Sequence, residues 1–168
     1  MLQKIDVKSV KENVFSMIGD RWLLITAGKE GQCNPMTASW GGLGVLWGKN
    51  VATIYVRPQR FTYGLVEASD TFALNVLPEG NRDILNLCGT KSGRDMDKMA
   101  ACGLTAERAE CGAPYLAQAE LVLVCRKLYS QDIDPARFID KDIDHACYPG
   151  KDYHRMYIGE IVEALKKA

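Results

Sequence analysis

The sequence predicts a mainly β fold, an antiparallel barrel with peripheral helices, and three observations support this class. Short apolar runs bounded by turn residues recur along the first two thirds of the chain. Two of the runs, 51–56 and 121–124, carry apolar side chains on both faces, as strands do when they are covered on two sides. The helical patterns are short and do not strictly alternate with the strands, which disfavours a parallel sheet built from βαβ units.

Each predicted strand is an apolar run that ends at glycine, proline or charged residues. In chain order the six strands cover residues 22–27, 36–47, 51–56, 71–77, 119–129 and 153–161. The charged segment from Glu163 onwards is predicted to be a tail.

The spacing of apolar residues also predicts three short helices. The first covers residues 60–69 and follows Pro58, which cannot continue a strand ladder. The second begins near Asn81, a residue type that caps helices, and ends at Gly89. The third covers residues 95–102.

Length and composition indicate one domain over residues 1–168, with 47% hydrophobic residues to form its core. Lysine plus arginine number 21 and aspartate plus glutamate also number 21, so no overall field favours nucleic acid or an anionic membrane as a partner. The apolar runs are too short to span a bilayer, and residues 1–10 lack the apolar stretch of a signal peptide. Six scattered cysteines without a Cys-x-x-Cys pair favour reduced thiols in the cytoplasm.

Familiar nucleotide and metal motifs fail on inspection. The glycines of 42–48 have the wrong spacing for G-x-G-x-x-G, and Asn50 stands where a Walker A loop needs a hydroxyl. His145, Cys147 and His154 lack a fourth ligand, so no metal is expected.

Two segments combine groups that could hold a phosphate beside an aromatic ring system. Residues 34–42 supply an amide, hydroxyls and the indole of Trp40, and residues 56–62 supply Arg57 and Arg60 at a predicted helix N-terminus. Taken alone, these residues leave a second interpretation open. The arginines would then form a solvated rim, Thr62 would cap a helix and Trp40 would lie in the core.

Four stretches carry a resemblance to a known family, and they occur in order at residues 34–47, 56–62, 88–98 and 152–161. In them the chain resembles the flavin reductase-like FMN-binding proteins of the split-barrel kind, the group that includes flavoredoxin. The resemblance implies a Greek-key antiparallel split β-barrel that binds FMN noncovalently.

The resemblance also implies which residues form the site. It places a strand along the flavin, the phosphate on an Arg-Pro-x-Arg-x-Thr segment, a loop against the cofactor, and a histidine and a tyrosine near the exposed ring face. In this sequence these are Asn34, Met36, Thr37, Ala38, Ser39 and Trp40 for the strand, Arg57, Arg60 and Thr62 for the phosphate, Lys91 and Ser92 for the loop, and His154 and Tyr157 for the ring face. His154 is the one candidate for a catalytic role.

The implied function is that of an NAD(P)H-dependent flavin reductase. Hydride would pass from the nicotinamide to flavin N5 and the electrons on to a second acceptor, which could be free flavin, a small molecule or a redox protein. Two alternatives stay open: a flavoredoxin-like electron carrier with little NAD(P)H activity, and a non-catalytic flavin-binding or sensor module. A homodimer whose interface helps to build each flavin site is expected.

Overall fold

Ten β-strands and four short α-helices make up the protein, whose computed structural model describes residues 1–168. The strands are β1 (Leu2–Ile5), β2 (Leu23–Ala27), β3 (Asn34–Ala38), β4 (Gly41–Leu46), β5 (Lys49–Val56), β6 (Thr71–Val76), β7 (Ala106–Arg108), β8 (Pro114–Leu116), β9 (Leu121–Asp132) and β10 (Arg155–Lys167). The helices are α1 (Phe61–Ala68), α2 (Arg82–Thr90), α3 (Lys98–Ala101) and α4 (Lys141–Cys147). Single 3-10 turns at Val7–Ser9 and Pro135–Arg137 and a π-helical turn at Ser16–Arg21 complete the secondary structure.

One antiparallel sheet contains eight of the strands. Its order is β3-β2-β6-β9-β10-β5-β4, with β1 paired to the end of β10, while β7 and β8 form a separate hairpin. Every pairing is antiparallel, which confirms the predicted fold class. No helix in the chain is long and apolar enough to cross a lipid bilayer.

The strand β10 bends through two irregularities in its pairing with β9, which allows it to pair with β5 in its first half and β1 in its second. Gly159 lies at the first of them. A Cβ added there would come within 2.9 Å of both Phe72 and Cys125, so only glycine allows the strand to approach the core this closely.

The prediction that the run 121–124 is covered on both faces is confirmed. Leu121 and Leu123 lie in the main core cluster of 19 buried residues, whereas Val122 and Val124 pack in a smaller cluster on the other face. The β7–β8 hairpin contributes Ala109 and Ala113 to this second layer, and Tyr115 packs against it.

The predicted strand over 36–47 is wrong in one respect that matters for the site, since it is two strands. The first, β3, pairs with β2, and the second, β4, pairs with β5. The chain therefore changes partners at Ser39 and Trp40, which belong to neither strand.

Other element predictions need correction at their ends. The tail predicted from Glu163 is wrong, because β10 continues to Lys167 through backbone pairing with β9 and β1 that charged side chains do not prevent. Asn81 stands at the start of α2, but its side chain donates to the carbonyl of Pro78 at 2.8 Å instead of capping the helix. The second helix ends one residue beyond Gly89, and the third is only the single turn α3. The predicted helix over 60–69 is confirmed as α1.

Candidate functional site

Two neighbouring cavities share the side chain of Arg60. Cavity A has a volume of about 230 Å³ and is lined by Met36, Thr37, Ala38, Ser39, Trp40, Tyr55, Arg57, Arg60 and His154. Cavity B has a volume of about 310 Å³ and is lined by Gln59, Arg60, Phe61, Thr62, Thr90, Lys91, Ser92, Arg94, Asp95 and Lys98. Eleven of the thirteen residues predicted for the site line one cavity or the other, and Asn34 and Tyr157 line neither.

Cavity A is built where the chain passes from β3 to β4. The backbone N–H groups of Ser39 and Trp40 donate to no group of the chain, because these two residues lie between two strands with different partners. The side chain of Trp40 is 48% exposed, so it lies outside the hydrophobic core. Its ring centroid is 5.2 Å from that of His154. The cavity thus offers free N–H donors beside aromatic rings.

His154 presents a neutral ring to cavity A. Burial, together with the positive charge of Arg57, lowers the pKa of His154 to about 4. Its Nδ1 lies 2.7 Å from the hydroxyl of Tyr148, whose own pKa is raised by burial. The phenol therefore donates to Nδ1, and the ring hydrogen assigned by this network is on Nε2. His154 consequently offers an N–H donor.

Arg57 lines cavity A together with Arg60 but does not line cavity B. Its guanidinium forms an ion pair of 2.7 Å with Asp152 and donates to the carbonyl of Cys147 at 2.8 Å. It also lies over the ring of Tyr148, 5.0 Å from the centroid. These contacts hold the side chain on the His154 side of cavity A, whereas Thr62 lines only cavity B.

Arg60 lies between the two cavities at the start of α1. Its guanidinium donates to the carbonyl of Gly89 at 2.7 Å and to that of Cys88 at 3.2 Å, both in the last turn of α2. Burial lowers the pKa of Arg60 from its ordinary value. The contacts fix the position of the side chain without neutralising it.

Cavity B concentrates positive charge. Four cations line it, and only one carboxylate, that of Asp95, does so. None of the cations, which are Arg60, Lys91, Arg94 and Lys98, forms an ion pair in the chain. The backbone N–H groups of Phe61 and Thr62, in the first turn of α1, also donate to no group of the chain. In a chain of zero net charge, cavity B is a local concentration of positive charge that is suited to an anion.

Asn34 acts behind cavity B and does not line it. Its amide nitrogen donates to the hydroxyl oxygen of Thr62 at 2.7 Å, so the hydroxyl hydrogen of Thr62 remains available to an anion. The loop that carries Lys91 and Ser92 packs on this pair through Gly93, where any Cβ would overlap the Asn34 side chain. Glycine at this position is therefore needed for the close approach of the loop.

Tyr157 lies in the barrel core, which corrects its predicted position near the ring face. Its side chain is fully buried in the main core cluster, and its hydroxyl donates to Glu67 at 2.6 Å. Burial and this carboxylate raise its pKa. Side chains alternate along β10, and the inward positions include Tyr157.

Sequence reasoning missed four residues that contribute to the site: Tyr55, Tyr148, Arg94 and Lys98. Tyr55 had a usable signal, because it stands near the end of β5, two residues before Arg57, and both residues line cavity A. Arg94 and Lys98 lie inside the stretch 88–98 that carries the resemblance. Tyr148 gave no signal, since only the fold brings the segment before β10 to His154.

Comparison with known proteins places the chain in a family. Residues 16–167 match the family described as the flavin reductase like domain. No curated protein sequence matches the chain.

Several solved structures have a similar fold at low sequence identity. An FMN-binding domain of a flavin reductases-like enzyme from Shewanella baltica superposes with a TM-score of 0.70 at 18% identity, covering 99% of this chain and 77% of that one. The flavoredoxin of Desulfovibrio vulgaris superposes with a TM-score of 0.69 at 18% identity, covering 98% of this chain and 77% of that one. An NADH:FAD oxidoreductase of Streptomyces globisporus superposes with a TM-score of 0.66 at 20% identity, covering 89% of this chain and 78% of that one.

The family match spans almost the whole chain, and the structural neighbours share its antiparallel β architecture. The protein therefore belongs to the flavin reductase-like domain family and has the fold of its FMN-binding members.

Proposed function

We propose that the protein binds FMN noncovalently and acts as an NAD(P)H-dependent flavin reductase. The observation that carries the proposal is the juxtaposition of an aromatic-lined cavity and a cationic cavity that share Arg60. A phosphorylated ligand with a flat aromatic ring system has this combination of parts. Family membership supports flavin as that ring system.

The residues present fit such a ligand. Cavity A offers the rings of Trp40, Tyr55 and His154 and free backbone N–H groups, which suit a planar ring with carbonyl and imine acceptors at its edge. Cavity B offers Arg60 and a helix N-terminus, which suit a phosphate.

When bound, FMN supplies the redox chemistry by accepting hydride from the nicotinamide and passing electrons to a second acceptor. The protein's own groups bind, orient and stabilise charge. His154, with a pKa of about 4, stays neutral at pH 7 and serves as a hydrogen-bond donor and not as a general acid. Arg57 contributes positive charge beside the ring. The half-exposed Trp40 leaves cavity A accessible to a second ligand.

The runner-up is a flavoredoxin-like electron carrier that uses NAD(P)H poorly, and the likeness to two flavoredoxin structures favours it. Stopped-flow mixing of the FMN-loaded protein with NADH or NADPH without oxygen separates the two functions. Rapid loss of flavin absorbance with either nucleotide supports the reductase. If the flavin stays oxidised with both nucleotides, the protein is not an NAD(P)H-dependent reductase. Reduction of that flavin by a redox protein partner would then support the carrier. If no donor reduces the flavin, the remaining function is the non-catalytic sensor module.

We also propose a homodimer and a cytoplasmic location. Three exposed apolar residues lie together at the β4–β5 turn: Val45, Leu46 and Trp47. The ring centroid of Trp47 is 6.2 Å from that of Tyr129. A patch of this kind favours a second copy of the chain as its cover. Six cysteines without paired spacing fit a reducing compartment.

A further inference from the structure

Tyr148 is a buried tyrosine that lies behind cavity A, directly after α4. It is 3% exposed, and its hydroxyl oxygen is 2.7 Å from Nδ1 of His154, six positions further along the chain. A turn in which the N–H of Lys151 donates to the carbonyl of Tyr148 at 3.0 Å brings the chain back towards β10. The fold therefore places a phenol against the histidine of the site.

Neighbouring side chains hold the ring of Tyr148 in place. The guanidinium of Arg57 lies 5.0 Å from its centroid. The ring centroids of Tyr153 and Phe138 lie 4.9 Å and 6.0 Å away. The imidazole of His154 meets the ring edge to face, at 5.5 Å and an interplanar angle of 80°. Because the ring is packed by these four groups, its hydroxyl stays beside Nδ1.

The other ring nitrogen of His154, Nε2, is the one available to a ligand in cavity A. It makes no hydrogen bond within the chain, and it is not a buried unpartnered atom, since Ser69 Oγ is the one such atom. His154 lines cavity A. A neutral imidazole carries one N–H and has two tautomers. The position of that hydrogen therefore decides whether cavity A contains a donor or an acceptor at Nε2.

We propose that Tyr148 is a positioning residue that acts through His154 and raises the reduction potential of the bound flavin. By donating to Nδ1, the phenol keeps the ring hydrogen on Nε2, where it is offered to the ring system in cavity A. Reduced flavin has more negative charge on its ring nitrogens and oxygens than oxidised flavin, so a fixed donor stabilises the reduced form more. Tyr148 itself does not line the cavity. This inference rests on the proposed function.

No other group around His154 replaces this contact. The rings of Trp40 and Tyr55 lie 5.2 Å and 6.4 Å from the imidazole, centroid to centroid, and make no hydrogen bond to its nitrogens. The guanidinium of Arg57 is held by its ion pair and by backbone carbonyls. The hydroxyl of Tyr148 is thus the one hydrogen-bond partner of the ring, and its removal leaves the tautomer unfixed.

Two matched variants test the proposal by ¹⁵N NMR of the flavin-free protein at about pH 7. Tyr148→Phe removes the hydroxyl and keeps the ring. Tyr153→Phe is the control, because its hydroxyl donates to Asp144 at 2.7 Å and not to His154. The chain has only two histidines, and the exposed His145 serves as the internal reference. Wild type and control should carry the His154 hydrogen on Nε2 alone, and Tyr148→Phe should show both tautomers.

The second readout is the midpoint potential of the bound flavin. Tyr148→Phe should lose about three- to tenfold in its preference for reduced over oxidised flavin, which lowers the potential of a two-electron couple by about 15 to 30 mV. The shift should be the same for FMN and riboflavin, because His154 lines cavity A and not cavity B. Tyr153→Phe should keep the wild-type potential. A merely structural Tyr148 would affect stability and leave both the tautomer and the potential unchanged.

A hydrogen on Nδ1 of His154 in the wild type would overturn the proposal, and so would a Tyr148→Phe variant with the wild-type tautomer or the wild-type potential. If Tyr148→Phe does not fold, the wild-type spectrum decides: a hydrogen on Nε2 alone supports the proposal, and one on Nδ1 overturns it. A wild-type protein that binds no flavin would overturn the proposed function and the effect on the potential. The spectrum of the flavin-free protein distinguishes that failure from a wrong assignment of Tyr148.

Discussion

The guanidinium of Arg60 and the ammonium of Lys98 donate hydrogen bonds to the same acceptor, the backbone carbonyl of Cys88, at 3.2 Å and 2.9 Å. This carbonyl lies in the last turn of α2, where the helix dipole adds partial negative charge. The backbone therefore fixes two cations at one side of cavity B without consuming their charge. This arrangement is suited to an anion.

Arg60→Ala should reduce FMN affinity by about ten- to a hundred-fold and leave riboflavin affinity nearly unchanged, because it removes one charge-assisted contact to the phosphate. Fluorescence titration with both flavins measures the effect. Arg57→Ala is the matched comparison: since Arg57 lies on cavity A, its loss should affect the two flavins equally. A wild-type FMN affinity in Arg60→Ala would remove Arg60 from the site.

Trp40→Ala should weaken the binding of both flavins and change the fluorescence of the bound flavin, while the protein stays folded. The reason is that the indole is half exposed and packs against His154 and not inside the barrel. Circular dichroism and flavin titration measure the two effects. A variant that cannot be obtained folded would show that Trp40 is needed by the core instead.

Most of the fold and much of the site could be predicted from the sequence, because both depend on local patterns. The double-sided apolar run 121–124 identified a covered strand, and eleven of the thirteen predicted site residues line the two cavities. What could not be predicted depends on contacts between distant residues. No local sequence feature distinguishes Arg57 from Arg60, because the ion pair that holds Arg57 beside His154 is made with the distant Asp152. Likewise, no local sequence feature shows that the side chain of Tyr157 lies in the core.

His154 should make the protein lose stability in mild acid. Its folded-state pKa of about 4 lies below the ordinary value of 6.5, so the unfolded chain binds the proton more tightly. The free energy of unfolding is unaffected above pH 6.5 and falls as the pH drops from 6.5 towards 4, by on the order of 3 kcal/mol. Urea denaturation of the wild type and of His154→Asn across this range measures the difference. Curves that run parallel would contradict a neutral, buried imidazole.

Tyr157→Phe should leave the affinity for FMN unchanged and lower the free energy of unfolding by about 1 kcal/mol. The variant removes the donor to Glu67 but keeps the buried ring. Flavin titration and urea denaturation of the same preparation test both parts. A selective loss of flavin binding would return Tyr157 to the site.

Trp47→Glu should convert a dimer into a monomer, because it places a charge in the exposed apolar patch at the β4–β5 turn. Analytical ultracentrifugation measures the change. Ile139→Glu serves as the control, since Ile139 is fully exposed on the segment between β9 and β10, outside the patch. Sedimentation of the wild type as a monomer would contradict the proposed homodimer.

The affinity of the wild-type protein for FMN relative to riboflavin tests the central claim most directly. Equilibrium titration of the flavin-free protein at fixed salt concentration should give one FMN per chain. With the unpaired cations of cavity B available to the phosphate, FMN should bind at least about tenfold more tightly than riboflavin. Equal affinity for the two flavins would contradict the assignment of cavity B as the phosphate site.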